Sequence, residues 1–340
     1  MKCKKNLWVI LVIAILATGF FYAQEKSDDF QVLKGSYLGQ KPPGTIPEIF
    51  ALGIVSTGLH DDYGPAISMD GNEIYFRIWG KPHAIIWVIR RVDGMWGKPE
   101  VAPFSGQYED GGFIFSKDGN TIYFDSDRPL KNKGEPKDTD IWVVDRNKNG
   151  WGEPSNLGAP INSTDDEYIG CVSADNTIYF TVRKRDTDGR LSFVNYSSKW
   201  KNNTYSKPEK LPYPFNSDYF QIAPRFSPDE TYAILTINGR DDGIGQEDLY
   251  VTFEKEDGTW TEPQNLGAEV NSRSTDWFPS FSPDGKYLFF VSWRYTGEKD
   301  SKMKSEFEEM LMGFYDQPTY GQGADVFWAS TRIIKELKRK

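Results

Sequence analysis

One short pattern occurs five times, and a chain built from copies of a unit too small to bury its own apolar face has to stack those copies side by side. In each copy an acidic or amide residue stands six positions before a Ser, an Asp follows two after it, and an apolar strand comes next. The copies begin at Asp62, Asp110, Glu167, Gln221 and Asp276. Their cores read Ser68-Met69-Asp70-Gly71, Ser116-Lys117-Asp118-Gly119, Ser173-Ala174-Asp175, Ser227-Pro228-Asp229-Glu230 and Ser282-Pro283-Asp284-Gly285, with Ser spacings of 48, 57, 54 and 55. Asp-Gly suits a tight turn, and Ile74-Tyr75-Phe76, Ile122-Tyr123-Phe124, Ile178-Tyr179-Phe180, Ala233-Ile234-Leu235 and Leu288-Phe289-Phe290 supply the strand after it. The pattern therefore predicts a hairpin in every repeat, with Asp70, Asp118, Asp175, Asp229 and Asp284 structural.

A third strand is expected at Ile85 to Arg90, Ile141 to Asp145, Leu191 to Asn195, Leu249 to Phe253 and Val326 to Ala329. A fourth is marked by an aromatic, two spacers and a proline, at Trp96 to Pro99, Trp151 to Pro154, Tyr205 to Pro208 and Trp260 to Pro263. Four strands per repeat make a propeller blade. The fifth repeat lacks its fourth strand, and residues 47–53 resemble Pro154-Ser155-Asn156-Leu157-Gly158. The fold expected is thus all-β: a five-bladed β-propeller of four-stranded antiparallel blades, closed by an N-terminal strand in the last blade. The blades fall near 62–104, 110–158, 167–211, 221–267 and 276–329 of a propeller spanning 46–331. Aromatics at 15%, with 31 Gly and 20 Pro, agree with strands and turns rather than a helix bundle.

The Ser-Pro-Asp-Gly core followed by an aromatic strand resembles the WD-like propeller repeats of the TolB family, over roughly residues 45 to 331. It is distantly similar to oligogalacturonate-lyase-type propellers, whose resemblance implies a uronate-cleaving activity. Lyases of that type use a histidine-rich metal site, whereas this chain holds only His60 and His83. No metal or other cofactor is expected, though the carboxylate ring described below leaves a calcium-like cation open.

Met1 to Asn6 carries three lysines, Leu7 to Phe21 is almost wholly apolar, and Ala23 is a small residue at a processing point. Residues 1–23 read as a secretory signal peptide, 24–45 as a linker and 332–340 as a basic tail. The expected location is periplasmic or secreted, with no membrane span after processing. Removing Lys2, Lys4 and Lys5 takes the net charge from −9 to about −12, which disfavours nucleic acid as a partner. It also leaves Cys171 as the sole cysteine, so stability must come from packing.

Strand alternation gathers two residue sets on one face. The first is the acid ring Asp62, Asp110, Glu167 and Asp276; the second is Arg77, Arg128, Arg183, Arg240 and Arg294. Each acid is expected to pair with an arginine and pin neighbouring blades. Because five arginines exceed four acids, one or two are expected to face an anionic ligand such as a phosphate, sulfate or carboxylate. Trp79, Trp277 and Trp293 stand among these charges and suit a sugar ring, and the loop from Arg294 to Ala324, helix-like near Ser305 to Met312, suits a lid. His60, His83 and Tyr63 lie on the same face as candidate proton-transfer groups. The leading reading is an enzyme that acts on acidic, uronate-containing oligosaccharides by β-elimination, as a lyase or dehydratase. Hydrolysis by a carboxylate pair is one alternative, and a non-catalytic TolB-like platform with a protein partner is the other.

Overall fold

The computed structural model describes residues 33–58, 60–130, 136–185, 187–294, 306–315 and 323–338; the apolar leader lies outside the described residues. Five antiparallel blades form the ring. The first is built from Asp61–Ile67, Glu73–Trp79, Ile85–Val92 and Glu100–Val101, and the second from Asp110–Phe115, Thr121–Ser126, Asp140–Asn147 and Ser155–Asn156. The third uses Asp166–Val172, Ile178–Arg185, Leu191–Ser198 and Glu209–Lys210. In the fourth the inner strand is split into Phe220–Gln221 and Arg225–Phe226, ahead of Tyr232–Asn238, Glu247–Phe253 and Gln264–Asn265. The fifth takes Asp276–Phe281, Tyr287–Ser292 and Asp325–Ser330 from its own repeat, and Glu48–Ile49 from the N-terminal side closes it by pairing with Trp328 and Phe327.

Every hairpin turn is held the same way. The Ser hydroxyl donates to the Asp two residues on, at 2.6 Å in the first four copies and 2.7 Å in the last. That Asp accepts the backbone N–H just before the next strand, as with Asn72 at 3.0 Å and Asn120 at 3.0 Å. The side-chain pair thus replaces ladder bonds that a turn cannot make. The fourth strands begin later than the aromatic-x-x-Pro signal suggests. Trp151 pairs back onto Arg146 in a small hairpin, and Ser155 and Asn156, beyond Pro154, pair with Val143 and Trp142. Proline has no N–H to donate, so ladder pairing resumes only after it.

Between blades the core is aromatic. Tyr75, Phe104, Phe115, Phe124 and Trp142 pack in one cluster where the first two blades meet. The helix Glu306–Phe314 lies in the long loop expected to form a lid. Its Phe307 and Phe314 rings meet Trp87 at 5.6 and 5.3 Å, and Tyr315 donates to the Ile78 carbonyl at 3.0 Å. Phe307, Leu311 and Tyr315 are buried. The described part of the loop is therefore a wedge packed on the first blade, because its apolar residues have more area to bury there than over a polar mouth.

Two flanking segments are more ordered than a linker and a tail. Leu33–Lys34 pairs with Met95 and Trp96 on the first blade, while Tyr37 packs on Tyr287 and Trp328 of the fifth, so this stretch staples the closing seam. Arg332–Leu337 is a helix whose Ile333 and Ile334 are buried against the fourth and fifth blades.

Candidate functional site

The inner strands do not pair continuously. Register breaks at Tyr63/Ala66, Asp110/Phe113, Ile169/Cys171 and Trp277/Ser280 bulge four of them, and the split at Ile222-Ala223-Pro224 does the same in the fourth blade. A bulge leaves backbone N–H groups without ladder partners and re-aims the neighbouring side chains. Asp125 collects two of the freed groups, accepting from Gly112 N at 2.9 Å in its own blade and from Ile169 N at 2.6 Å in the next. Thr181 serves Ala223 N at 2.7 Å in the same way.

Around these bulges runs the central channel. Its upper part, a cavity of about 470 Å³, is lined by Arg77, Glu109, Asp125, Tyr168, Arg183, Phe193, Phe220, Arg225 and Trp277 among others. Arg77 lies over the Tyr63 ring at 4.7 Å and Arg183 over the Tyr168 ring at 5.3 Å. Trp277 joins the Tyr63 ring at 6.2 Å and the Trp293 ring at 5.6 Å. Three donors here have no hydrogen-bond partner among the described residues: Arg77 Nε, Arg225 Nη1 and Trp277 Nε1. Arg225 Nε finds only the Pro279 carbonyl, at 3.2 Å. Burial lowers the Arg225 pKa and raises that of Asp125 to about 7, against the opposing pull of its two N–H bonds and of Arg225 and Arg77. Burial likewise pushes Tyr63 and Tyr168 up to about 12, so both phenols stay protonated donors at neutral pH.

The expected acid ring exists but is sealed. Asp62, Asp110, Glu167 and Asp276 are 0% exposed, and each holds a hydroxyl four or five residues earlier: Thr57 at 3.0 Å, Ser105 at 2.6 Å, Ser163 at 2.5 Å and Ser272 at 2.8 Å. Gln221 repeats the contact with Ser217 at 2.6 Å. These residues tie the entry loop to the inner strand and offer no carboxylate pair to a substrate. Among the described residues no group of three or more His, Cys, Asp or Glu side chains could hold a metal ion.

The five arginines do not form one set. Arg128 and Arg294 turn back under the surface to Asp110 and Asp276, both at 2.7 Å, and to backbone carbonyls of Phe104 and Val270. Arg240 is held by Asp242 and Glu262 at 2.9 and 3.0 Å. Arg183 pairs with Asp166 rather than Glu167, at 2.9 Å, and Arg77 touches Glu109 at 3.3 Å. Only Arg77 and Arg183 of the five line the channel.

Nor do the histidines reach it. His60 is 1% exposed, lies 4.7 Å from the Tyr315 ring, and has its pKa lowered by burial to about 4, so it is a neutral core side chain. His83 Nε2 lies 3.2 Å from the Gly106 carbonyl in a half-buried loop contact. Trp79 and Trp293 are exposed at 43% and 39%. Tyr63, Tyr168, Phe220 and Trp277, each next to a leading acid or amide in sequence, do reach the channel wall.

Sequence reasoning passed over Arg225, Asp125 and Glu109. The signal was available in the repeats read column by column. Four residues after the leading acid or amide stand Ala66, Ile114, Cys171 and Ser280, with Arg225 the odd member. After the Tyr-Phe or equivalent pair of the second strand stand Thr181, Thr236 and Val291, with Arg77 and Asp125 as the two charged exceptions. In a repeat fold the scaffold is what the copies share, so departures at inward-facing columns point to a site.

No family model matches the chain, and a search of curated proteins finds no match. Among solved structures the chain is similar to a putative TolB from Agrobacterium tumefaciens, at 18% identity and a TM-score of 0.44, covering 69% of this chain and 70% of that one. TolB from Acinetobacter baumannii gives 15% identity and a TM-score of 0.43, covering 80% of this chain and 57% of that one. An alpha-L-arabinofuranosidase from Lactobacillus brevis gives 13% and 0.43, covering 82% and 92%. Among the described residues no helix is long and apolar enough to cross a membrane.

Proposed function

We propose that the channel binds an acidic sugar, a uronate-containing saccharide, with its carboxylate at Arg77 and Arg225 and its ring against Tyr168 and Trp277. One observation carries this reading: the Arg77 and Arg225 guanidiniums line a single cavity, and Arg225 has no carboxylate within ion-pair distance among the described residues. A guanidinium without a carboxylate partner is completed by an acceptor-rich anion. Aromatic faces beside the charges suit the apolar face of a pyranose.

Turnover by β-elimination is a second reading, favoured by Asp125. Its pKa of about 7, beside two cations that would hold a substrate carboxylate, gives it the proton affinity of a general base. In this reading Asp125 replaces His60 and His83 as the proton acceptor. The apolar leader supports a periplasmic or secreted setting for either activity.

The test is calorimetric titration with galacturonate and glucuronate oligosaccharides, run beside ultraviolet absorbance for a new conjugated double bond. Arg225→Met is expected to abolish binding without lowering the melting temperature, since a half-buried guanidinium with a single long bond to a carbonyl and no ion pair contributes little to stability. Binding unchanged in Arg225→Met would reject the site. Absence of any uronate binding would leave the protein-partner platform as the better account.

A further inference from the structure

Below the level of Arg77 and Arg225 the channel changes character. A second cavity of about 250 Å³ shares Arg77, Gly111, Gly112, Arg225, Phe278 and Pro279 with the upper one, so the two meet at these residues. Its further walls are Ile67, Phe113, Phe115, Val172, Phe226 and Phe281, and Lys117 at the Ser-x-Asp end is its one charged residue besides the two arginines. Lys117 is already engaged with Glu230 at 3.4 Å and the Pro228 carbonyl at 3.2 Å. The channel is thus polar and aromatic at the mouth, cationic at the waist and apolar beneath.

We infer that the lower cavity is a subsite for an aryl group, and that the ligand is an aryl glycoside of a uronic acid. This rests on the acidic-sugar reading above and names what the sugar carries. Three physical arguments select that class. A second sugar ring in the lower cavity would bury most of its hydroxyls against apolar side chains, which is costly; the hydroxyls of Ser116, Ser280 and Ser282 on its wall already donate to Asp118, the Pro65 carbonyl and Asp284. An uncharged apolar molecule would leave the Arg225 guanidinium as uncompensated as before. An aryl arm fits by size, since a cavity of about 150 Å³ already accommodates benzene. The carboxylate then sits at the waist beside Tyr63, the sugar faces Tyr168 and Trp277, and the arm packs against Phe115, Phe226 and Phe281.

The experiment compares three probes on the full chain by titration: glucuronate, 4-methylumbelliferyl glucuronide and 2-naphthoate. The aryl glucuronide is expected to bind roughly tenfold or more tightly than glucuronate, the gain coming from apolar area buried in the lower cavity. Ala66→Leu narrows that cavity from the first blade, and Met69→Trp, at an exposed position on its lower rim, does so with little risk to folding. Either variant is expected to erase the advantage while leaving glucuronate affinity unchanged. Equal wild-type affinities for glucuronate and its aryl glycoside would overturn the subsite and leave the acidic-sugar reading standing. Binding of naphthoate alone, or of none of the three, would overturn both.

Discussion

At the scale of single residues, position in the repeat decides role more than chemical type does. Arg128 is buried and Arg225 half-buried, and Arg128 has Asp110 at 2.7 Å while Arg225 has a carbonyl. Asp125 answers Arg225 and Arg77 at a distance, and ionising it neutralises part of their charge. Anion affinity is therefore expected to rise as pH falls from 8 to 6, because protonated Asp125 no longer competes with the ligand. Asp125→Asn should flatten that profile in titrations at each pH, and retention of the wild-type slope would show that another group titrates. Folding stability has its own pH dependence. Burial raises Asp125 and Glu167 to about 7 and Asp325 to about 6, so between their unfolded values near 4 and those values the folded state holds protons that the unfolded state has released. Stability should rise as pH falls from 8 towards 5. His60, lowered to about 4, opposes this below about pH 6.5, and melting curves at pH 8, 7, 6 and 5 read the balance.

At the scale of elements, the hairpin turn and the wedge helix differ in how far along the chain their partners lie. The turn is local: Ser116 and Asp118 are two residues apart and need no other part of the chain to meet. Asp118 is largely exposed, so screening discounts its charge, and Asp118→Ala should cost about 1 kcal/mol of unfolding free energy in denaturant titration. Its hydrogen bond to Ser116 lowers its pKa, so that contribution is present above about pH 4 and lost as acid protonates the turn. The helix Glu306–Phe314 was legible as a helix, but its partner was not, because Phe76 and Trp87 lie more than 200 residues away in sequence. Phe307→Ala should destabilise the protein by about 3 kcal/mol and leave ligand dissociation rates unaltered. Faster dissociation in stopped flow would restore the lid reading.

At the scale of the whole molecule, closure is the feature on which the other four blades depend. Glu48–Ile49 completes the fifth blade, and the stretch before it pins the first blade at Trp96, whose indole donates to the Gly35 carbonyl at 2.7 Å. A ring opened at one seam exposes the apolar faces of both neighbouring blades, so Ile49→Pro should lower the melting temperature of the entire propeller in one transition. Two separated transitions in calorimetry would show that the blades melt independently. Chelator is expected to leave that temperature unchanged, since each acid of the inner ring already has a hydroxyl partner. A large loss on adding chelator would reveal a bound cation.

The number of blades, the hairpin in each and the closing strand were all determined by the sequence itself, because each is written in short spacings or in a copy of the repeat that lacks its own last strand. The sealed acids were half legible: their recurrence was visible, and a Ser or Thr four or five residues before each was the sign that they were already spent. The site was decided only in three dimensions. Arg77, Asp125 and Arg225 come from three blades and from two different columns of the repeat, and what unites them is the channel into which the ring turns them. Spacing along a chain carries information about neighbours within a blade. Which side chains converge across the ring depends on bulges, on twist and on which charges find partners, and those are settled by packing.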